Sequence, residues 1–386
     1  MSKIKPLFFF LFGLIGLAYG ANSIFGFDVI SFGLFDSLGG FRITGVSIAA
    51  ISVFDTRTML SAVEEWKTPK GFLTKLFFKI QNTFDTKFID LDIYKGARKK
   101  ASYVNPRAQG QVVERKGFKT LTVEPLYVKP KIPTTAEDVM QRLAGETIYS
   151  GGMTPQDRMT ELAVKDLKTL DDMIARSEEY QASEALLNGK IVGLNGVEID
   201  FERDAANTIT LAGADLWSAG TSDPIANLRD WKRQIRQKTG ISADSVIFAS
   251  DVQAAFMKNT EVQKQLNIWN SSPGRIEPKD LGDGVTLIGY LNDPGVMVYA
   301  YDEWIEDANG TEQPVIPLGK VLMGATTARC SRNYGAIQDL NVLAAVPRYP
   351  KTWVEGNDPQ TRFLQLHSSF VMVPENVDGF IKATVL

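Results

Sequence analysis

Cysteine and histidine are almost missing from this chain of 386 residues: Cys330 and His367 each stand alone. One cysteine excludes an intrachain disulfide and a cysteine-based zinc site, and it fits a reducing compartment. One histidine means that any histidine triad or histidine-containing metal site must use His367. Its setting, Leu364-Gln365-Leu366-His367-Ser368-Ser369, reads as a strand without motif context, so His367 is expected to be structural. A basic excess is also missing. Lys and Arg number 42 against 45 Asp and Glu, a formal net charge of −3, which argues against a general nucleic-acid binder, since neutralising phosphates needs a basic surface. No phosphate-cradling glycine loop, HExxH or GxSxG occurs. The pairs Asp171-Asp172 and Glu178-Glu179 read as the solvated side of a helix, and Gly193 and Gly196 as turn residues. The sequence thus assigns no catalytic, cofactor-binding or metal-ligating residue, and no cofactor.

The N-terminal 52 residues differ from the rest. Lys3 and Lys5 precede an apolar run from Pro6 to Leu17, and Ala18-Tyr19-Gly20 follows with small residues at the spacing of a cleavage site. The run is short for a membrane span, which needs roughly 20 apolar residues. From Ala21 to Ser52 only Asp28, Asp36 and Arg42 carry charge. Three readings stand: an export signal or membrane anchor, a hydrophobic segment used in assembly, or translated upstream sequence before a protein starting near Val53 or Met59.

The remainder is rich in signals. Thr56 to Glu65 reads as a short helix ended by Thr68-Pro69-Lys70-Gly71, and the alternation from Lys87 to Ile93 as a strand. Residues 94–134 carry ten basic residues against Glu114 and Glu124. Gln111 to Arg115 and Phe118 to Val123 form an expected hairpin turning at Lys116-Gly117. Pro125, Pro130 and Pro133 keep the chain extended. An exposed hairpin of this kind is marginal alone, so it is expected to lie on a partner.

Thr154 as N-cap, Pro155 at the first position and Gly189 as the stop bound a helix over 154–189. Met159, Leu162, Ala163, Leu167, Leu170, Met173, Ile174, Tyr180 and Leu187 form one apolar stripe. Glu161, Asp171, Asp172, Glu178 and Glu179 make the other side acidic. A basic ribbon and an acidic helix in one chain suggest a contact between subunits: Arg98, Lys99, Lys100, Arg107, Arg115, Lys116, Lys119, Lys129 and Lys131 of one copy with those acids of the next. The alternative is that both are solvated faces.

Beyond it, strands are expected over Asn195–Phe201, Thr208–Leu211, Val246–Ala249, Val285–Leu291, Val296–Trp304, Val315–Met323 and Phe363–Val373. A helix runs from Asp223-Pro224 to Gly240, with shorter ones near Val252–Lys258 and Glu261–Leu266. The fold class is mixed α+β with non-local strand pairing.

Several motifs occur in an order that resembles one family, the lambda-type phage major capsid proteins, or capsid protein E: Phe54-Asp55-Thr56-Arg57-Thr58-Met59-Leu60, Tyr103-Val104-Asn105-Pro106, Tyr127-Val128-Lys129-Pro130-Lys131, the long helix, Tyr334-Gly335-Ala336-Ile337-Gln338-Asp339, and Arg348-Tyr349-Pro350-Lys351-Thr352-Trp353-Val354. The resemblance runs from about Val53 to Leu386 and leaves residues 1–52 outside it. It implies the Hong Kong 97 phage capsid fold: an N-terminal arm (53–93), an extended loop (94–134) over a neighbouring subunit, a peripheral domain (135–221) with the spine helix 154–189, an axial domain (222–335), and a return to the peripheral domain (336–386). It further implies a non-enzymatic shell protein in hexamers and pentamers, assembled in the host cytoplasm into a virion. Portal, scaffold, a decoration protein and nonspecifically held packaged DNA are the implied partners, with any membrane contact confined to residues 1–52. The rival readings are an encapsulin-like bacterial compartment, an exported or membrane-anchored binding protein, and an enzyme using His367.

Overall fold

The computed structural model describes residues 54, 56, 59–60, 71–93, 100–101, 103–107, 109, 119–141, 154–193, 196–219, 221–266, 274–307, 310–340 and 345–386. The chain divides into two compact units, Met1–Ser61 and Ala62–Leu386. All but four described residues belong to the second. The signal-like segment, most of the expected helix from Thr56 to Glu65, and the expected turn at Lys116-Gly117 lie outside the described residues.

The long helix sets the frame. It spans Pro155–Asn188, 34 residues, or about 50 Å at 1.5 Å per residue. Its start is a reciprocal capping box: the Thr154 hydroxyl accepts from the Asp157 N–H, and the Asp157 carboxylate accepts from the Thr154 N–H. Two free backbone donors are thereby satisfied. At its end Gly189 is left-handed, φ 67°, where a Cβ is disfavoured. Arg203 closes the same end, donating to the carbonyls of Leu186 and Leu187 at 2.8 and 2.6 Å. The expected apolar stripe holds at Ala163, Leu167, Leu170, Ile174 and Leu187, all buried, but Met173 and Tyr180 are 45 % and 37 % exposed. They lie on the side turned away from the sheet.

One six-stranded sheet packs on this spine. Its order is Ile80–Thr83, Cys330–Tyr334, Thr361–Pro374 and Tyr349–Glu355, with Leu126–Val128 and Lys131–Thr135 also paired to the 14-residue strand Thr361–Pro374. The Met372 N–H donates to the Gln181 side chain on the spine at 2.8 Å. A seven-stranded sheet forms the second layer system, in the order Gly274–Gly282, Val285–Leu291, Val296–Tyr301, Ser245–Ala249, Lys320–Gly324, Phe380–Thr384 and Thr208–Thr210. Its central strand Ser245–Ala249 is buried at every residue, as befits a strand covered on both faces. The helix Pro224–Thr239 is capped by Asp223 and stopped by left-handed Gly240. Its Trp231 stacks on Trp217, which meets Phe248 and Phe256 edge-on or tilted, and these aromatics fill the core of this layer.

Several expectations are corrected. Phe118–Val123 is realised as Lys119–Val123; among the described residues it pairs with Ile89–Ile93, antiparallel from Ile89↔Val123 to Ile93↔Lys119, while its expected hairpin partner Gln111 to Arg115 lies outside them. The pair forms the base of the loop, and its Ile89, Leu91 and Val123 pack in one core with Ala185, Ile191, Phe201, Val371 and Val373. Residues 126–128 and 131–134, expected in the loop, belong to strands of the spine sheet. The single expected strand Val315–Met323 is broken: Glu312–Pro314 pairs with Trp304–Glu306, and Lys320–Gly324 joins the seven-stranded sheet. Pro317 interrupts it, since proline lacks the N–H a ladder needs. Sheet membership also crosses the expected domain boundaries. Cys330–Tyr334 pairs with the spine sheet, whereas Thr208–Thr210 and Phe380–Thr384 pair with the seven-stranded sheet.

Candidate subunit-contact surface

The basic residues expected to contact a neighbour have different settings. Arg98, Lys99, Arg115 and Lys116 lie outside the described residues. Lys100 is exposed, its Nζ 4.9 Å from the centroid of the Tyr103 ring. Arg107 is exposed, and its N–H donates to the Asn105 side chain at 3.1 Å. Lys119 pairs with Ile93 at the loop base. Lys129 and Lys131 are exposed but sit beside the strand Thr361–Pro374: the Lys129 carbonyl accepts from Gln365 at 3.2 Å, and Lys131 Nζ lies 4.8 Å from the Phe363 ring.

The acidic set divides sharply. Glu161 is exposed and Asp172 half-buried. Asp171, Glu178 and Glu179 retain only 6 %, 4 % and 3 % exposure, so the expected solvated face is corrected at these three positions. Each is matched within the chain, as buried charges must be. Arg348 Nε donates to Asp171 at 3.0 Å and its Nη1 donates to Glu178 at 2.7 Å. The Tyr334 hydroxyl donates to the same Glu178 oxygen at 3.0 Å. Burial acts to lower the Arg348 pKa, but Glu178 above all, then Tyr334 and Asp171, hold it above the ordinary guanidinium value. Burial and the Glu178 charge push the Tyr334 hydroxyl up.

Glu179 has another task. Its carboxylate accepts from the N–H groups of Leu73 and Thr74 at 2.6 and 3.0 Å, from the Thr74 hydroxyl at 2.6 Å and from the Tyr301 hydroxyl at 3.1 Å. The helix Phe72–Leu76 has glycine at its N-cap and no cap from its own sequence. Glu179 supplies that cap from the spine, satisfying donors that would otherwise be unpaired. A Cβ on Gly71 would fall 1.9 Å from Glu179 Oε2, which explains glycine there. Burial holds this carboxyl above its ordinary range, against the opposing pull of Thr74, Leu73 and Tyr301.

His367 is buried, and its Nδ1 is 2.6 Å from the Tyr127 hydroxyl. Burial lowers the histidine pKa and pushes Tyr127 up to about 12. Lys351 pairs with Asp339 nearby. Three motif segments thus meet around the spine and the long strand, through Tyr127, Tyr334 with Asp339, and Arg348 with Lys351. Sequence reasoning found these segments but not their meeting point, since no local spacing connects them.

Among the described residues no group of three or more His, Cys, Asp or Glu could hold a metal ion, and no helix is long and apolar enough to cross a membrane. Beside the exposed half of the spine lies a cavity of about 360 Å³, lined in part by Asp172, Arg176, Asp283, Tyr301, Glu303 and Ile305.

Comparison with known proteins follows this geometry. The family described as phage major capsid protein E matches residues 55–385. The major capsid protein of Escherichia phage lambda is 28 % identical over 341 residues, 86 % of this chain and 98 % of that protein. The major capsid protein of Enterobacteria phage P21 is 30 % identical over 345 residues, 87 % of this chain and all of that protein. A crystal structure of a prophage capsid protein from E. coli CFT073 superposes with a TM-score of 0.66 at 21 % identity, over 86 % of this chain and 99 % of that one.

Proposed function

The chain belongs to the phage major capsid protein E family, and from that premise we propose that it works mechanically, as the repeated subunit of a closed phage head. The observation that carries the proposal is the match over residues 55–385 together with a fold organised on one long spine. Copies gather into hexamers and pentamers, and these close an icosahedral shell in the host cytoplasm that becomes the virion head. The shell encloses double-stranded DNA. Contact with it is nonspecific and internal, in keeping with a chain whose net charge is −3. A portal, a scaffold and a decoration protein are its further partners, and no catalysis is part of the role.

In this reading residues 53–93 are the arm, and the loop is the segment 94–118 that rises from the base Ile89–Ile93 with Lys119–Val123. The spine sheet is the peripheral body, and the segment 222–335 supplies most of the axial one. The loop of one copy crosses the spine of the next. Asp171, Glu178 and Glu179 are satisfied internally; of the acidic set, Glu161 is exposed and Asp172 half-buried, and the crossing is read as meeting that part of the spine. The bases come from the loop, Lys100 and Arg107 among them. Individual contacts of this kind are weak, and multiplicity makes the shell stable.

The DNA-enclosing role is tested on particles pelleted from phage-producing cells and treated with nuclease. Protected double-stranded DNA of uniform length, released only when the particles are disrupted, is the expected result. Particles filled with a host enzyme and free of DNA would replace this reading with that of a protein-storing compartment.

A further inference from the structure

Tyr103 is 91 % exposed and Val104 50 % exposed. An aromatic ring left in water forgoes a large apolar burial. The Lys100 ammonium, 4.9 Å from the ring centroid, makes ring and cation one unit. Lys100, Tyr103 and Val104 therefore offer an apolar plate with a positive charge at its edge.

The spine carries the complement. Met173, Arg176 and Tyr180 recur at i, i+3 and i+7, which places them on one helix face, and Met173 and Tyr180 are the exposed apolar residues there. Arg176 also lines the cavity of about 360 Å³, whose rim holds the carboxylates Asp172, Asp283 and Glu303 against the cations Lys75 and Arg176. Lys75 reaches Asp283 only at 3.9 Å. Glu179, on the same wall, is committed to the Phe72–Leu76 helix. Burial holds the Glu303 carboxyl above its ordinary range despite Arg176, so an added cation in this cavity would relieve an existing cost.

We propose that the Lys100–Tyr103 unit of one copy docks on the spine of a second copy, with the Tyr103 ring on Met173 and Tyr180 and the Lys100 ammonium directed into the cavity beside Asp172, Asp283 and Glu303. The inference rests on the loop-over-neighbour reading above and gives it a seat. Charge and shape both favour a second copy as occupant: a cationic plate meets an apolar step beside a carboxylate-rich hollow. The contact thus joins an aromatic anchor to a rim of charge, the division found in protein interfaces generally.

The test uses the chain's poverty in cysteine. Cys330 is buried and its thiol is pushed well above the ordinary range by burial, so it stays out of the reaction. Particles carrying Tyr103→Cys with Met173→Cys are oxidised mildly and run on a non-reducing gel. A ladder of covalently joined subunits is expected, at least tenfold stronger than from Tyr103→Cys with Leu318→Cys, a control at another exposed apolar site. Particles without the ladder, or equal ladders from both pairs, overturn the docking and leave the shell standing. Absence of particles from the unaltered chain overturns the shell reading itself. If only the paired variant fails to assemble, unaltered particles built from isotopically light and heavy subunits are treated with a zero-length carbodiimide. Mixed-label peptides joining Lys100 to Asp172, Asp283 or Glu303 support the docking; Lys100 joined only elsewhere, or only within one label, overturns it.

Discussion

At the scale of single residues, the energetic centre of the molecule is Arg348. It stands between two buried carboxylates, Asp171 and Glu178, with the Ser368 hydroxyl accepting a third bond from it at 3.1 Å. A guanidinium suits this place because its planar fork can meet two acceptors in fixed directions. Arg348→Met is expected to destabilise the unassembled subunit by about 3–5 kcal/mol, since two buried carboxylates then lack their cation. Arg348→Lys keeps the charge but loses the fork, and should cost less. Chemical denaturation of the three proteins checks the order; equal stability of Arg348→Met and the parent would contradict the assigned role. None of this pairing was legible beforehand. Arg348 lies 177 residues from Asp171 and 170 from Glu178, and the acids' local neighbours are those of an ordinary solvated helix side. His367, by contrast, was read as structural from its alternating surroundings, and it is buried in its strand against Tyr127.

At the scale of elements, termini were the readable part. Thr154-Pro155 with Gly189, and Asp223-Pro224 with Gly240, bound the two longest helices among the described residues where the sequence places them. Caps are local chemistry: the group that satisfies a free N–H sits within three residues of it. The short helix Phe72–Leu76 shows the limit, because its cap, Glu179, is 106 residues from Leu73. This distance makes a prediction. Gly71→Ala places a methyl group where the Glu179 carboxylate sits and should cost about 1–3 kcal/mol by overpacking. Lys75→Ala, one turn on and half exposed, should stay within roughly 0.5 kcal/mol. Thermal unfolding of the two variants measures the difference; a Gly71→Ala subunit as stable as Lys75→Ala would remove the cap argument. Strand pairing was less readable than the helices for a related reason. Thr208–Thr210 and Phe380–Thr384 pair in parallel although 174 positions separate Thr208 from its partner Lys382, and period-two alternation names a face but not a partner.

At the scale of the whole molecule, the fold explains a protein made for repetition. The spine and its sheet form a stiff body, held by Arg348, Glu179 and the Tyr127–His367 contact. The loop base Ile89–Ile93 with Lys119–Val123 is fixed to that body by its own apolar residues. A base anchored in a core spends less freedom on binding than a free segment would. The division of labour between buried and exposed acids follows. Those nearest the sheet stabilise the subunit, whereas Glu161 lies at the surface. The measurement that tests the central claim most directly is electron microscopy of the material that sediments when the chain is expressed with its scaffold. Closed, uniform shells whose dominant protein is this chain are the predicted result. Sedimented material without shells, with the chain remaining as a soluble folded monomer, would contradict the account.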